Sequence, residues 1–380
     1  MKDSKQVVYF KNIDILRFAA VFLVLFAHAY EGWCGWFGKP GFMTVDGNHT
    51  DFTNFGSYLN TTFTNGGIGV DIFFLISGFL ITYLLLSEKE NTGKISIIKF
   101  YFRRILRIWP AYFLLIALTP LCVHLANGKT PDYLPNVLFY NNFHAISIKI
   151  WQYPYAHLWS ICVEEHFYLF WPFVVAFIAR KNLKTAFILL IAMSFLFRAY
   201  LFVVHSDYWQ IYLNTLSRID VLVIGGLYAL YYKEVGFQAK LGKSTRLILY
   251  GLFIVVYVID PVYTYDSFFD IVIKKYFYIS ILGLGMIHFI FNEDRIFNLP
   301  FQKSLNYLGK ISYGIYLFSN VLIPIVVIRF MYQWGSTNMY LYFFLNIFLS
   351  ILISAIVYEL LEKQVLKWKK KFEVVHSKRN

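Results

Sequence analysis

Residues 68–87 read IGVDIFFLISGFLITYLLLS, a run of 20 residues in which Asp71 is the only charged side chain. A helix that crosses the hydrocarbon core of a bilayer needs about 20 mostly apolar residues at 1.5 Å of rise per residue. The run meets that requirement, and Gly69 and Gly78 would let another helix approach closely. The stretch therefore predicts a membrane-spanning helix that packs inside a bundle.

The rest of the chain has the same character. Of its 380 residues, 58% are hydrophobic, 21% are aromatic and 15% are charged, whereas average soluble proteins are about 45–50% apolar and about 25% charged. This composition excludes a water-soluble domain, a disordered chain, a disulfide scaffold and a nucleic-acid-binding protein, in spite of a net charge of +13. We expect an all-α integral membrane protein with about ten transmembrane helices. The approximate spans are 13–30, 68–87, 105–126, 159–179, 185–204, 217–233, 247–263, 275–291, 311–330 and 341–361.

The basic residues predict how these helices are oriented. With the N-terminus placed inside, 27 of the 35 Lys and Arg residues fall in inner segments, 5 in outer segments and 3 in or beside spans. Cytoplasmic segments of membrane proteins carry an excess of Lys and Arg, so we expect both termini in the cytoplasm. The basic cluster 367–371 is expected to rest on anionic lipid. An alternative is a cleaved signal peptide ending at Ala27-His28-Ala29, but nine further spans favour an uncleaved first helix.

The sequence contains no repeat, linker or appended soluble domain, so residues 1–380 are expected to form one membrane domain. Its spans run from about 13 to 361, and a short basic tail covers 362–380. The cysteines at 34, 122 and 162 are odd in number and two lie in spans, so they form no disulfide framework or metal set. We expect no metal site and no resident cofactor.

Charged side chains inside spans are costly unless they face a partner or a polar cavity, which makes each one a candidate for function. Arg17 and His28 lie in the first span, 11 residues apart. At 100° per residue they point the same way to within about 20°, with about 16 Å between them along the helix. The alternative is that Arg17 is a topology signal and His28 an interfacial histidine.

The third span is entered through FYFRRILRIWPAYF, residues 100–113. Arg104 and Arg107 are spaced i, i+3 on one face beside the predicted helix start, where guanidinium and free backbone N–H groups can bind phosphate together. Lysine would serve topology equally well, so three arginines in five residues indicate bidentate contacts to an anion. A pure topology role is the alternative.

The fourth span begins HLWSICVEEHFYLFWP, residues 157–172, and is the most informative stretch of the chain. Side chains at 157, 160 and 164 share one helix face, while Glu165 and His166 turn away by about 100° and 200°. Two adjacent carboxylates in a membrane helix have no simple structural explanation, so this face predicts acid–base chemistry.

Three further charges have structural alternatives. Asp71 could be a charge at a helix N-terminus that the helix dipole stabilises. Arg218 and Asp220, at the start of the sixth span, are two residues apart and cannot pair with each other. Each is expected to meet another helix, in an ion pair or in a catalytic role.

Six motifs, taken in order from Ile13 to about Lys363, resemble the membrane-bound acyltransferase 3 family. They are Arg17 with His28 after ten intervening residues, GVDIFFLISGFLI at 69–81, Arg104-x-x-Arg107, WSICVEEHFYLFWP at 159–172, SRID…GG at 217–226 and GKISYGIYLF at 309–318. Each motif is weak alone, and the ordered set is specific.

The resemblance implies a ten-helix enzyme of the bacterial cytoplasmic (inner) membrane that O-acylates glycans or small molecules. Acyl-CoA, and acetyl-CoA in particular, would enter from the cytoplasm as a co-substrate. The acceptor would be a hydroxyl of an extracytoplasmic or lipid-linked sugar, such as a surface polysaccharide. The expected partners are thus acyl-CoA, a glycan and the lipid bilayer, with no nucleic acid.

The resemblance also assigns roles to residues, with His28 as the essential histidine. His28 would act as general base on the acceptor hydroxyl or carry the acyl group, and Glu164 would orient it. The expected CoA ligands are Arg17, Arg103, Arg104 and Arg107. The expected acceptor-site residues are Asp71, His157, Trp159, Ser160, Glu165, Arg218 and Asp220.

The chain departs from the family pattern at two places. Phe318-Ser319-Asn320 stands where relatives commonly have a histidine, which puts a catalytic contribution from that corner in doubt. Glu362-Lys363-Gln364 stands in place of the usual Glu-Lys-Pro-like terminal element. This departure affects only the end of the last helix. With only a short tail after the last span, transfer is expected to finish in the membrane domain or on a separate partner.

A second hypothesis is a proton-coupled transporter or a flippase for an anionic or glycan-lipid substrate. Asp, Glu and His chains inside membranes also serve as proton relays. The sequence has no two-fold repeat of the kind that many transporters carry, so the enzyme hypothesis is preferred.

Overall fold

The computed structural model describes residues 7–10, 12–37, 62, 65–125, 132–235, 242–259, 267–291, 301–320 and 322–374. Every regular element longer than two residues in these ranges is helical. Eight of the described helices are long and apolar enough to cross a membrane. The predicted class, an all-α integral membrane protein, is therefore confirmed.

The helices follow one another along the chain with short connections. In order they are α1 Asn12–Trp36, α2 Ile68–Thr92, α3 Ile97–Leu125, α4 Leu134–Val137, α5 Asn141–Ile148, α6 Trp159–Phe177, α7 Arg180–Val203, α8 Tyr208–Leu213, α9 Thr215–Val235, α10 Lys243–Ile259, α11 Lys275–Phe291, α12 Gln302–Lys310, α13 Ser312–Ser319, α14 Leu322–Gln333, α15 Met339–Val357 and α16 Lys363–Lys369. Single 3-10 or π turns precede α2, α6, α11 and α16, and one follows α16.

The seventh predicted span, 247–263, corresponds to α10, and its residues 260–263 lie outside the described part of the chain. The ninth, 311–330, is divided between α13 and α14. A hydropathy window averages over such a break, because it records how apolar a segment is and not whether its backbone is continuous.

The start of α3 corrects one expectation. The helix begins at Ile97, so Arg104 lies two turns inside it and not beside free N–H groups at a helix N-terminus. The span was placed too late because its first two turns are rich in basic and aromatic residues, which lower the hydropathy without opposing helix formation. Any anion bound here would therefore be held by side chains.

Helix α2 occupies the centre of the bundle and packs closely on α1 and α9. A Cβ atom placed on Gly69 would lie 2.3 Å from the backbone oxygen of Ala20 on α1. A Cβ on Gly78 would lie 1.8 Å from the backbone oxygen of Leu222 on α9. The close approach predicted from these glycines is confirmed, because both contacts are possible only without a side chain.

Gly78→Ala is expected to destabilise the bundle, since α2 and α9 would have to separate to admit the methyl group. Overpacking of this kind typically costs about 1–3 kcal/mol. The measurement is thermal unfolding of the detergent-solubilised protein. Gly251→Ala in α10 is the matched control, because a Cβ there has nothing within 4 Å. Equal effects of the two substitutions would contradict the packing assigned to Gly78.

Candidate active site

A polar cavity lies between α1, α2, α3, α6 and α13, and we call it the central cavity. Its empty volume is about 820 Å³ with open solvent included. Three arginines, one glutamate and several hydroxyl groups share it with apolar side chains. The lining residues are Arg17, Val70, Phe73, Phe74, Ser77, Leu80, Ile81, Arg104, Arg107, Ile108, Ser160, Ile161, Glu164, Tyr168, Ser312, Tyr313 and Tyr316.

The arginines gather at one end of the central cavity. Arg17 lies 3.7 Å from a carboxylate oxygen of Asp14, and Arg107 lies 3.3 Å from Glu362. Arg104 forms no ion pair among the described residues; its guanidinium lies 5.9 Å from the ring centroids of Phe100 and Tyr168, and its buried Nε has no hydrogen-bond partner there. Arg104 is thus a partly buried cation with a donor still available to an anion.

Glu164 lies in the same cavity as these arginines. The hydroxyl of Ser77 on α2 donates to its Oε1 at 2.7 Å, and the Tyr168 hydroxyl donates to Ser77 at 3.2 Å. Arg17 and Arg104 are electrostatic neighbours of the carboxylate. Residues 160, 164 and 168 all line the cavity, which confirms the helix face predicted for Ser160 and Glu164.

A chain of hydroxyl groups leads from the central cavity towards His157. The Tyr316 hydroxyl donates to the backbone oxygen of His157 at 2.7 Å, so the Ser160 hydroxyl, 2.7 Å from Tyr316, must be the donor to it. The His157 Nε2 donates to the backbone oxygen of Leu317 at 3.1 Å. A neutral imidazole that donates from Nε2 keeps a lone pair on Nδ1.

His28 lies near His157 and does not line the central cavity. The two imidazoles are electrostatic neighbours, and the buried Nδ1 of each has no hydrogen-bond partner among the described residues. No hydrogen bond joins Glu164 to His28 in the described part of the chain. The structure therefore associates His28 with His157 and places Glu164 with Ser77 and the arginines.

Arg103 is separated from the other arginines by its contacts. Its guanidinium forms an ion pair with the buried Glu88 at 2.9 Å and donates to the backbone oxygen of Phe372 at 2.9 Å. It does not line the central cavity. This geometry favours a structural role over the anion contact expected from its position beside Arg104.

Asp71 pairs with Arg218 across helices α2 and α9. Their side chains lie 2.6 Å apart with exposed fractions of 0% and 3%, and the Tyr278 hydroxyl donates to the second carboxylate oxygen at 3.0 Å. The Arg218 guanidinium also lies 5.6 Å from the Trp159 ring and 5.1 Å from that of Tyr212. The geometry thus supports the inter-helix ion pair that was the structural alternative for Arg218. Asp71 also lies in the first turn of α2, where its own structural alternative placed it.

Asp220 lies in a second buried ion cluster. Arg198 on α7 is 2.8 Å from one carboxylate oxygen and Lys275 on α11 is 2.9 Å from the other. Asp220 is fully buried, and the side chains of Arg198 and Lys275 are 2% and 8% exposed. The cluster ties three helices together, with Lys275 in the interior although its position indicated an outer segment.

Glu165 and His166 turn away from the central cavity, as the helix periodicity predicted. The His166 Nδ1 lies 2.9 Å from the hydroxyl of Thr215, and its ring stacks on Phe143 at 5.6 Å. The Glu165 Oε1 is buried without a hydrogen-bond partner among the described residues. Neither side chain reaches the lining of the cavity.

The structure adds site residues that the sequence did not single out. Ser77, Tyr168 and Tyr316 carry the hydroxyl network, and each is an ordinary residue of an apolar helix, so only its contacts reveal it. Glu31 is different, because it lies three residues after His28 and one residue beyond the predicted span 13–30, whereas α1 continues to Trp36. A longer first span would have marked it as a further charge within the helix. It is an electrostatic neighbour of Tyr153 and Tyr212.

Comparison with known proteins identifies the family. A family model described as an acyltransferase domain matches residues 10–359. The chain belongs to the acyltransferase 3 family. The match includes α1 to α15, and hence the central cavity and both histidines; it ends before Glu362.

The chain is also similar to O-acetyltransferases of Staphylococcus aureus. It is 29% identical over 343 residues to the O-acetyltransferase OatA of strain NCTC 8325 / PS 47, covering 82% of this chain and 54% of the relative. OatA of strain COL matches with the same values. The chain therefore spans about half the length of these curated relatives. No solved structure matches it significantly.

Among the described residues, no group of three or more His, Cys, Asp or Glu side chains is arranged to hold a metal ion.

Proposed function

We propose that this protein is an acyl-CoA-dependent O-acetyltransferase of the bacterial cytoplasmic membrane. It would move an acetyl group from cytoplasmic acetyl-CoA to a hydroxyl of an extracytoplasmic or lipid-linked sugar. The observation that carries the proposal is the central cavity, in which three partly buried arginines lie with Glu164 and several hydroxyl groups. The hydroxyl chain extends to the backbone of His157, whose imidazole is an electrostatic neighbour of His28. Membership of the acyltransferase 3 family and similarity to OatA support the same reaction.

The arginine end suits the phosphates of CoA. Guanidinium groups bind phosphate through paired, charge-assisted hydrogen bonds, and Arg104 has donors that no described residue uses. Arg17 and His28 lie on one helix about 16 Å apart, and this is the distance that the pantetheine arm must cover. The thioester would then lie beside His28.

In the chemical step the acceptor oxygen attacks the thioester carbonyl carbon while His28 accepts the hydroxyl proton. The carbon–sulfur bond breaks, and the CoA thiolate leaves and is protonated. Transfer through an acyl-histidine on His28 is the alternative route, in which the acceptor attacks the acyl-imidazole.

We assign the orienting role to His157 in place of Glu164. Its Nε2 donates to Leu317, so the lone pair on Nδ1 can accept a hydrogen bond from protonated His28. Glu164 would instead balance the charge of Arg17 and Arg104 until the donor binds, because it lies beside them.

On the acceptor side, Glu31 and its aromatic neighbours offer a sugar both hydrogen bonds and apolar contacts. The neighbours of Glu31 are Tyr153 and Tyr212, and the Tyr153 ring lies 6.3 Å from that of Trp36. A carboxylate can accept hydrogen bonds from sugar hydroxyls, and aromatic rings provide apolar faces for the sugar ring.

Purified protein incubated with labelled acetyl-CoA tests the proposal. We expect CoA release and transfer of label to glycan. Arg104→Gln should raise KM for acetyl-CoA about 10–100-fold with little change in kcat, because a hydrogen bond to a charged group contributes about 1.5–3 kcal/mol. Arg180→Gln is the matched control, since Arg180 forms an exposed pair with Glu90.

Two outcomes would contradict the proposal. Absence of acyl transfer and of CoA release, together with proton flux driven by a substrate, would favour the transporter. An unchanged KM in the Arg104 variant would remove the arginine end of the cavity as the donor site.

A further inference from the structure

The C-terminal segment Tyr358–Phe372 continues the last long helix beyond the bilayer. The stretch Met339–Phe372 is helical over 34 residues, which is about 50 Å at 1.5 Å per residue, against a hydrocarbon core of about 30 Å. Its final turns must therefore lie outside the hydrocarbon. This part of the chain was expected to be a basic tail resting on lipid.

The C-terminal segment packs on α3, the helix that carries the cavity arginines. Glu362 forms an ion pair with Arg107 at 3.3 Å, and the backbone oxygen of Phe372 accepts a hydrogen bond from Arg103 at 2.9 Å. The ring of Phe372 stacks on Phe102, with centroids 4.8 Å apart and planes 11° apart. Contacts at both ends fix the segment beside the arginine end of the central cavity.

One lysine of the segment faces these arginines. Lys369 is partly buried, whereas Lys367, Lys370 and Lys371 are exposed. Its electrostatic neighbours include Arg103, Arg104 and Arg107. It forms no hydrogen bond or ion pair with any described residue, whereas Lys367 bonds to Gln364.

Two cations at this end form no direct ion pair among the described residues. Arg17, Arg103 and Arg107 each have a carboxylate partner, in Asp14, Glu88 and Glu362 respectively. Arg104 and Lys369 have no carboxylate within ion-pair distance in the described part of the chain, although Glu164 is an electrostatic neighbour of Arg104 and Glu373 of Lys369. Both cations are partly buried and keep hydrogen-bond donors for an anion that contacts them together.

We infer that Lys369 is a phosphate ligand of the donor site, acting with Arg104 on the phosphate groups of the nucleotide portion of CoA. The C-terminal segment thus forms one wall of that site. The inference rests on the proposed function and extends it, because Lys369 lies beyond residues 10–359 that match the family. An ammonium group acts on phosphate as a point charge, which suits the rim of a site whose interior holds the guanidinium groups.

The test compares Lys369→Gln with Lys370→Gln in the purified full-length protein in uncharged nanodiscs. Lys370 is the matched control because it is the adjacent residue, carries the same charge and is exposed. We expect Lys369→Gln to raise Kd for CoA and KM for acetyl-CoA about tenfold, with kcat unchanged. Lys370→Gln should stay within about twofold, and Lys369→Arg should restore binding.

Acetyl-pantetheine, a donor without the nucleotide phosphates, separates a phosphate contact from a structural effect. Its rate should be the same in the wild type and in Lys369→Gln. An equal loss with both donors, or equal Kd values for CoA in the two glutamine variants, would overturn the inference while leaving the proposed function in place. Failure of the wild type to bind CoA would overturn the proposed donor and, with it, the role of Lys369.

Discussion

Replacing His28 with alanine should abolish acyl transfer while the protein is still produced and folded. The expected loss of kcat is at least about 100-fold and up to about 10,000-fold, the range for removal of a general base. In the acyl-histidine route the loss would be as large, since no other described imidazole on α1 can take the acyl group. The substitution leaves no described partner of Nδ1 unpaired, because this atom bonds to no described residue.

The measurement is the initial rate of labelled acetyl transfer at saturating acetyl-CoA, together with Kd for CoA. Kd should be unchanged, since the phosphates would bind at the arginines of the central cavity and His28 does not line that cavity. His124→Ala is the matched control, because His124 is exposed near the end of α3. Full activity of the His28 variant would refute the assignment of this residue under either route.

Replacing Asp220 with alanine should destabilise the folded protein by about 3–5 kcal/mol. This is the typical cost of removing one partner of a buried ion pair, which leaves the other charge uncompensated. Here two cations, Arg198 and Lys275, would lose their carboxylate, and both side chains are at least 90% buried. The effect should appear as a lower unfolding temperature in detergent and a smaller monodisperse fraction.

The control for Asp220→Ala is the double variant Asp220→Ala with Lys275→Met. Removing one of the stranded cations should recover part of the stability. Glu90→Ala, which breaks exposed pairs with Arg180 and Lys233, should have little effect. Normal stability of Asp220→Ala with a raised KM for the acceptor would instead support the acceptor-site role that the sequence suggested.

The two largest predictions separate residues that looked alike in the sequence. His28 and Asp220 are both ionisable groups within apolar helices, and both were candidates for the reaction. The structure gives Asp220 two cationic partners and leaves the Nδ1 of His28 without a partner among the described residues. An ionisable side chain whose bonds are satisfied stabilises the fold, whereas one with bonding capacity to spare is available to a substrate.

The sequence by itself determined most of what depends on one helix at a time, although it missed the start of α3 and the break between α13 and α14. Composition and run length indicated an all-α membrane protein, because hydrocarbon admits only segments whose backbone groups bond internally. The 3.6-residue repeat placed Ser160 and Glu164 on one face of α6, and Glu165 and His166 on others. Ordered motifs gave the family.

Only the tertiary structure decided which helices meet and which side chains pair. Glu164 was expected beside His28 and lies instead with Ser77 and Arg17. Likewise Asp220 could have faced a substrate, but it contacts Arg198 and Lys275. The segment predicted as a basic tail begins with a helix that packs on α3. The physical reason is that two side chains pair only when their helices have the right rotation, depth and crossing angle. Those relations are fixed by close packing at glycines and by ion pairs between segments that are far apart in the chain. A single sequence records the period of each helix but not those relations.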